Sequence, residues 1–146
     1  MSTLLRCSAE GFSVLEAHLA RRLSEAMAYS YGSRASAGEM RSWERSLPVV
    51  AADLLDAGLS GVEMLIEYRL PLTSKRADVV LAGIGRTTGE PAYVVLELKQ
   101  WSEATLFDGD PRLVSVAGYH RSVSHPLDQV SGYVDYLADF NGAVTP

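Results

Sequence analysis

KRADVVLAGIGRTTGEPAYVVLELKQW, residues Lys75–Trp101, holds two apolar runs on either side of a turn. The runs span Lys75–Ile84 and Pro91–Trp101, and Gly85 and Gly89 in GRTTGE supply the turn between two strands. Asp78 and Glu97 each stand among Val and Leu, where a carboxylate is costly unless a cation or a basic partner offsets it. Glu97 and Lys99 are two apart, so in an extended chain they share one face while Leu96, Leu98 and Gln100 take the other. Pairing of the two strands in the expected register brings Asp78 beside that carboxylate and ammonium. Two hard oxygen ligands with a neighbouring ammonium suit magnesium-assisted attack of water on a phosphodiester.

Upstream, VEMLIEYRLP alternates Val62, Met64, Ile66, Tyr68 and Leu70 and stops at Pro71, which predicts a third strand. The three strands with short connections predict an antiparallel meander whose one face is covered by the preceding helices. Leu15, Leu19, Leu23 and Met27 give a helical period over Leu15–Tyr29, and a Gly/Ser/Ala-rich connection follows over Tyr31–Gly38. A second helical pattern begins at Glu39 and runs through Met40, Trp43, Leu47 and Val50. Ser33 and Ser36 both stand where a cap belongs. Pro48 is expected to bend or divide this helix, with Ala51–Ala57 continuing it to Gly58 and Gly61.

Downstream, Asp108, Asp110 and Pro111 read as a turn, and Leu113, Val114 and Val116 as a short strand or lid. A last helix opens at His125 and Pro126, carries Leu127, Val130, Val134, Leu137 and Ala138 with Tyr133 on the adjoining side, and ends near Asn141 and Gly142. The closing GAVTP reads as the opening of a further strand, so a fragment of a longer protein is expected. The organisation expected is α/β, with an N-terminal helical extension over residues 1–35 and a core over residues 36–146.

A chain of 146 residues supports one core. Its 47% apolar and 21% charged content is ordinary globular usage. The strongest apolar runs fall short of a bilayer span and no leader pattern opens the chain, so the cytoplasm is the default expectation. Cys7 is the only cysteine, which excludes an internal disulfide. A formal charge of -5 argues against a broadly basic binding surface. Neither H-E-x-x-H, a G-x-S-x-G elbow nor a complete dinucleotide-binding glycine loop is present. His18, His120 and His125 lack zinc-site spacing.

The sequence RADVV, followed by Glu97-Leu98-Lys99, resembles the PD-(D/E)XK phosphodiesterase superfamily, with Ala77 where the name-giving proline would stand. DQVSGY supplies Gln129 and Tyr133, similar to the Q-x-x-x-Y helix of RecB-like nucleases. EMRSWERSLP, EYRLP, KRADVVLAG, VVLELKQW and HPLDQVSGYVDYL together resemble the nuclease-like N-terminal region of bacterial proteins that continue into a P-loop ATPase or helicase-like domain. No G-x-x-x-x-G-K-[ST] occurs here, so any such domain would lie beyond Pro146.

The resemblance implies a restriction-endonuclease-like core that cuts DNA, or RNA in its place. Asp78 and Glu97 would hold Mg2+ or Mn2+ with the Leu98 carbonyl as a third protein ligand, and Lys99 would orient or activate water. Gln129 and Tyr133 would position these groups or touch the nucleic-acid backbone. The superfamily often adds a glutamate from the first core helix. Glu39 and Glu44 compete for that role, Glu39 sharing a helical stripe with Trp43, Ser46 and Val50. Lys75, Arg76 and Arg69 are candidate phosphate contacts, and Trp101 reads as a core residue ahead of a base-stacking one. The competing expectation is an inactive nuclease fold serving as an interaction or regulatory module of a larger ATPase-containing protein. An exposed sheet edge leaves a homodimer open.

Overall fold

A computed structural model describes residues 3–140 of the chain. Ser8 lies in extended backbone, and its Oγ accepts the Gly11 N–H at 3.0 Å, ending strand β1 (Leu5–Ser8) and starting helix α1 (Ala9–Leu15). A 3-10 turn over Glu16–His18 leads into α2 (Leu19–Tyr31), which Gly32 closes in the left-handed region at φ 72. The period seen from Leu15 is therefore divided between two helices. The N-terminal segment, expected to be helical alone, also supplies a strand.

Helix α3 spans Ala37–Asp56 without division at Pro48. Of the two candidate caps the fold uses Ser36: its Oγ accepts the Glu39 N–H at 3.2 Å, and Glu39 Oε2 accepts the Ser36 N–H at 2.8 Å. This reciprocal pair satisfies two of the amides that every helix start leaves open. Ser36→Ala is expected to lose about 1 kcal/mol. Its melting temperature, read by scanning calorimetry, should fall by about 2–4 °C.

Strands β2 (Glu63–Arg69), β3 (Arg76–Ile84) and β4 (Pro91–Leu96) form the expected antiparallel meander. The sheet has four strands, ordered β1-β2-β3-β4, because β1 adds to the outer edge of β2 with Leu5 opposite Ile66. Helix α4 begins at Pro126 and is described through Phe140. Its end and the expected strand over residues 142–146 lie outside the described residues.

Two apolar clusters sandwich the sheet. Met64, Ile66 and Val79 pack with Phe12, Leu23, Trp43 and Leu47 from α1–α3, while Val80 and Val95 pack with Tyr133 and Leu137 of α4. Helices therefore cover both faces, where the sequence predicted one. Cys7 lies half-buried against the first cluster, and burial raises its thiol pKa, as for a packed thiol. Between β4 and α4 a second antiparallel sheet forms from β5 (Ala104–Leu106), β6 (Leu113–Val116) and β7 (Val123–Ser124). Among the described residues no helix is long and apolar enough to cross a membrane.

Candidate active site

The β3–β4 register, with Val79 opposite Leu96, carries Asp78 to the level of Glu97, one residue past the end of β4. Asp78 Oδ2 accepts the Leu98 N–H at 2.6 Å, which fastens the strand ends together. Side-chain alternation continues beyond the last ladder pair. Leu96 and Leu98 pack against the first cluster, and Gln100 Nε2 donates to Ser42 O at 3.1 Å and Ser46 Oγ at 3.0 Å on α3. Glu97 and Lys99 turn the other way, toward α4.

There, Lys99 Nζ donates to Glu97 Oε1 and, at 3.2 Å, to Gln129 Oε1. Gln129 Nε2 reaches Glu97 Oε1 at 2.7 Å and the Tyr133 hydroxyl at 2.8 Å. The four-residue spacing of Gln129 and Tyr133 sets them one turn apart on the same helix face. His125 Nδ1 accepts the Leu127 N–H at 3.1 Å at the start of that helix. Two elements far apart in sequence thus meet in one hydrogen-bonded network.

Glu97 is the most constrained member. Its side chain is 6% exposed, and its Oε2 is buried without a hydrogen-bond partner among the described residues. A buried carboxylate oxygen with no donor is expensive to maintain unless a cation meets it. Burial pushes the Asp78 carboxyl up to about 6. The Leu98 N–H works against that rise, the Glu97 and Glu67 carboxylates add to it, and Lys99 lowers it. Burial likewise raises the Tyr133 hydroxyl, Gln129 opposes this, and the Glu97 and Asp78 charges reinforce it.

Glu67 is a buried carboxylate that sequence reasoning missed. It is 7% exposed, and the pairs Ile66↔Val79 and Tyr68↔Ala77 place it opposite Asp78. Its φ of 54 lies in the left-handed region, an unfavourable conformation for a residue with a Cβ. The turn inverts the alternation of β2, so Tyr68 packs with the α4 cluster instead of following Ile66. Glu67 itself turns to α3, where Oε1 accepts the Trp43 indole N–H at 2.7 Å and Oε2 pairs with Arg76 Nε at 2.6 Å. Burial raises its pKa despite these two partners. The one available signal was a glutamate between Ile66 and Tyr68, inside a strand whose charged residues otherwise stand only at its two ends.

Arg76 bridges Glu67 to Glu39, with Nη2 3.1 Å from Glu39 Oε1. Burial would raise the Glu39 carboxyl, but its Ser36 bonds and Arg76 outweigh this and hold it below the usual range. Glu39, Glu67, Arg76 and Asp78 line one cavity of about 290 Å³ with Trp43 and Leu98. Glu44 lies exposed, away from it.

Of the three candidate phosphate contacts, Arg76 is committed to carboxylates and Arg69 Nε donates to Thr73 O at 2.9 Å. Both guanidinium groups stack over Tyr31, at 5.3 Å for Arg69 and 5.6 Å for Arg76. Lys75 lines a separate cavity beside Gln129 and Tyr133. Trp101 belongs to neither apolar cluster and instead lines a cavity with Lys99 and Gln129.

Among the described residues no group of three or more His, Cys, Asp and Glu side chains is gathered as a ready ion cage. The fit to a metal therefore rests on two carboxylates, one with an orphaned oxygen. That set suits magnesium, which keeps several waters and commonly takes one or two carboxylates. No family model, curated protein or solved structure matches the chain. What stands on its own is a mixed α/β chain with antiparallel sheets and a buried, charge-dense site at the end of its central strands.

Proposed function

We propose that this chain is a metal-dependent phosphodiesterase of the PD-(D/E)XK kind, cutting DNA by magnesium-assisted attack of water. RNA is the second substrate of the same chemistry. The observation that carries the reading is the Oε2 of Glu97, buried and without a hydrogen-bond partner among the described residues, next to the Lys99–Gln129–Tyr133 network. The resemblance of RADVV, ELK and DQVSGY to that superfamily supports it.

Asp78 and Glu97 are the side chains that would hold Mg2+ or Mn2+, with the Leu98 carbonyl as the third protein ligand. A bound ion supplies Lewis acidity and a water of lowered pKa. Lys99 brings positive charge to the side of Glu97 where a phosphoryl group would gain negative charge, and electrostatic stabilisation of that kind is worth about 10²–10³ in rate. Gln129 holds Lys99 and Glu97 in one arrangement, and Tyr133 holds Gln129. Arg76 offsets the charge of Glu39 and Glu67, so the cavity beside Asp78 is not left with carboxylates alone.

Cleavage of single-stranded, double-stranded and branched DNA and RNA with Mg2+ or Mn2+ tests this reading. Lys99→Ala and Glu97→Ala are each expected to lose at least about a hundredfold in rate while remaining folded. Cutting that survives both substitutions places the chemistry elsewhere. A folded chain that neither binds Mn2+ by calorimetry nor cuts any substrate favours an interaction module of a longer protein.

A further inference from the structure

We infer that the polynucleotide taken at this site is single-stranded, with Trp101 and Tyr119 as stacking platforms for its bases; the inference rests on the phosphodiesterase reading. A cavity of about 470 Å³ adjoins the proposed chemistry, lined among others by Lys99, Gln129, Trp101 and Tyr119. Trp101 follows Lys99 by two residues, and the Lys99 ammonium lies 5.7 Å from its ring centre. A base on that ring would belong to a nucleotide neighbouring the phosphate that meets Lys99.

Tyr119 reaches the same cavity from the connection between β6 and β7. The Tyr119 N–H donates to Val116 O at 3.0 Å across a tight turn, and Gly118 takes the left-handed φ of 83 that such a turn requires. The turn leaves the Tyr119 side chain on the cavity and the residue 57% exposed. One exposed ring on a surface is unremarkable. Here the exposed Tyr119 shares the cavity that holds Lys99 and Gln129 with a second ring, the half-buried Trp101, so a planar ligand there meets two aromatic side chains.

Charge weighs against the usual alternative. Duplex binding draws most of its affinity from Lys and Arg side chains that neutralise phosphates. Here the net charge is -5, Lys99 is paired with Glu97, Arg76 with Glu39 and Glu67, and Arg69 is bonded to Thr73. With Lys99 and Arg76, the cations nearest the proposed chemistry, already paired to carboxylates, base–aromatic stacking is what this cavity adds to affinity, without sequence preference. A duplex buries its base faces against one another. A single strand offers them.

The test is fluorescence anisotropy on the full chain with labelled oligo(dT), oligo(rU) and a DNA duplex of equal length, calcium replacing magnesium so that nothing is cut. At least one single strand is expected to bind about tenfold or more tightly than the duplex, and the tighter one names the sugar. Tyr119→Ala and Trp101→Ala should each weaken it about fivefold or more, the loss of one base stack, while Tyr119→Phe keeps the ring and the affinity. Duplex binding as tight as either single strand, or alanine variants that bind like the unaltered chain, overturns the inference. So does the absence of any polynucleotide binding. The two readings fail separately. Aromatic-dependent single-strand binding without cutting in either magnesium or manganese sinks the phosphodiesterase and leaves the stacking surface. Duplex cutting that Tyr119→Ala leaves unchanged does the reverse.

Discussion

Asp78→Asn is expected to abolish metal-dependent cleavage and, at pH 7.5, to raise the melting temperature. Both follow from one side chain. Asp78 is a carboxylate held against its own burial, with Glu97 and Glu67 adding to the difficulty, and its pKa stands at about 6 against an ordinary 3.8. A carboxyl that binds its proton more tightly in the folded chain destabilises that chain when ionised. The sign is therefore the reverse of a salt-bridged aspartate. Below the ordinary value Asp78 is protonated in both states and has no effect. Its penalty grows as pH rises from 3.8 to about 6 and is complete above that.

Holding an ionised carboxyl whose pKa has risen from 3.8 to about 6 costs the folded chain about 3 kcal/mol. Asparagine keeps an acceptor for the Leu98 N–H and carries no charge, so a gain of about 1–3 kcal/mol is expected. In scanning calorimetry that is a rise of about 2–12 °C at pH 7.5, shrinking toward nothing near pH 4. Mg2+ should stabilise the unaltered chain and leave Asp78→Asn unchanged, because only a folded state that binds the ion gains from it. An unchanged melting temperature at both pH values would show that Asp78 carries no buried charge. A stabilised variant that still cuts would remove Asp78 from the chemistry.

Glu67→Ala is expected to do the opposite to stability. It strands the Trp43 indole N–H, which has lost its acceptor, and frees Arg76 from its closer carboxylate. Removing one partner of a buried ion pair costs about 3–5 kcal/mol. Arg76 keeps Glu39, and the raised pKa of Glu67 means that part of its own charge is already a burden. A loss of about 3 kcal/mol is therefore expected, with a fall of about 6–12 °C in melting temperature. Glu67→Gln retains an acceptor for Trp43 and should recover part of that loss. If Glu67→Ala is as stable as the unaltered chain, the Trp43–Glu67–Arg76 chain of contacts holds nothing together.

The sequence made some of this legible because certain signals are local. Glu97 and Lys99 share a face by the two-residue period of extended chain, and Gln129 and Tyr133 share one by the helical turn. The start of α3 was readable to within a choice between two serines, and its Glu39 was placed near the site although its first partners are Ser36 and Arg76. Other features carried no local mark. Strand β1 is four residues long, LRCS, and exists because β2 offers it a ladder some sixty positions away. Trp101 reads as core by composition, and only the placement of the small sheet leaves it on a cavity.

By itself the sequence determined the three-strand meander, the helices α3 and α4, and the pairs Glu97 with Lys99 and Gln129 with Tyr133 that share a face, since periodicity and turn chemistry act over a few residues. The tertiary structure alone decided what those faces meet. It set Asp78 at the level of Glu97 through strand register, joined Gln129 to Lys99 across about thirty residues, and inverted β2 at Glu67. Each depends on contacts between distant segments, whose free energy comes from joint burial and pairing, and no residue's own preference encodes it.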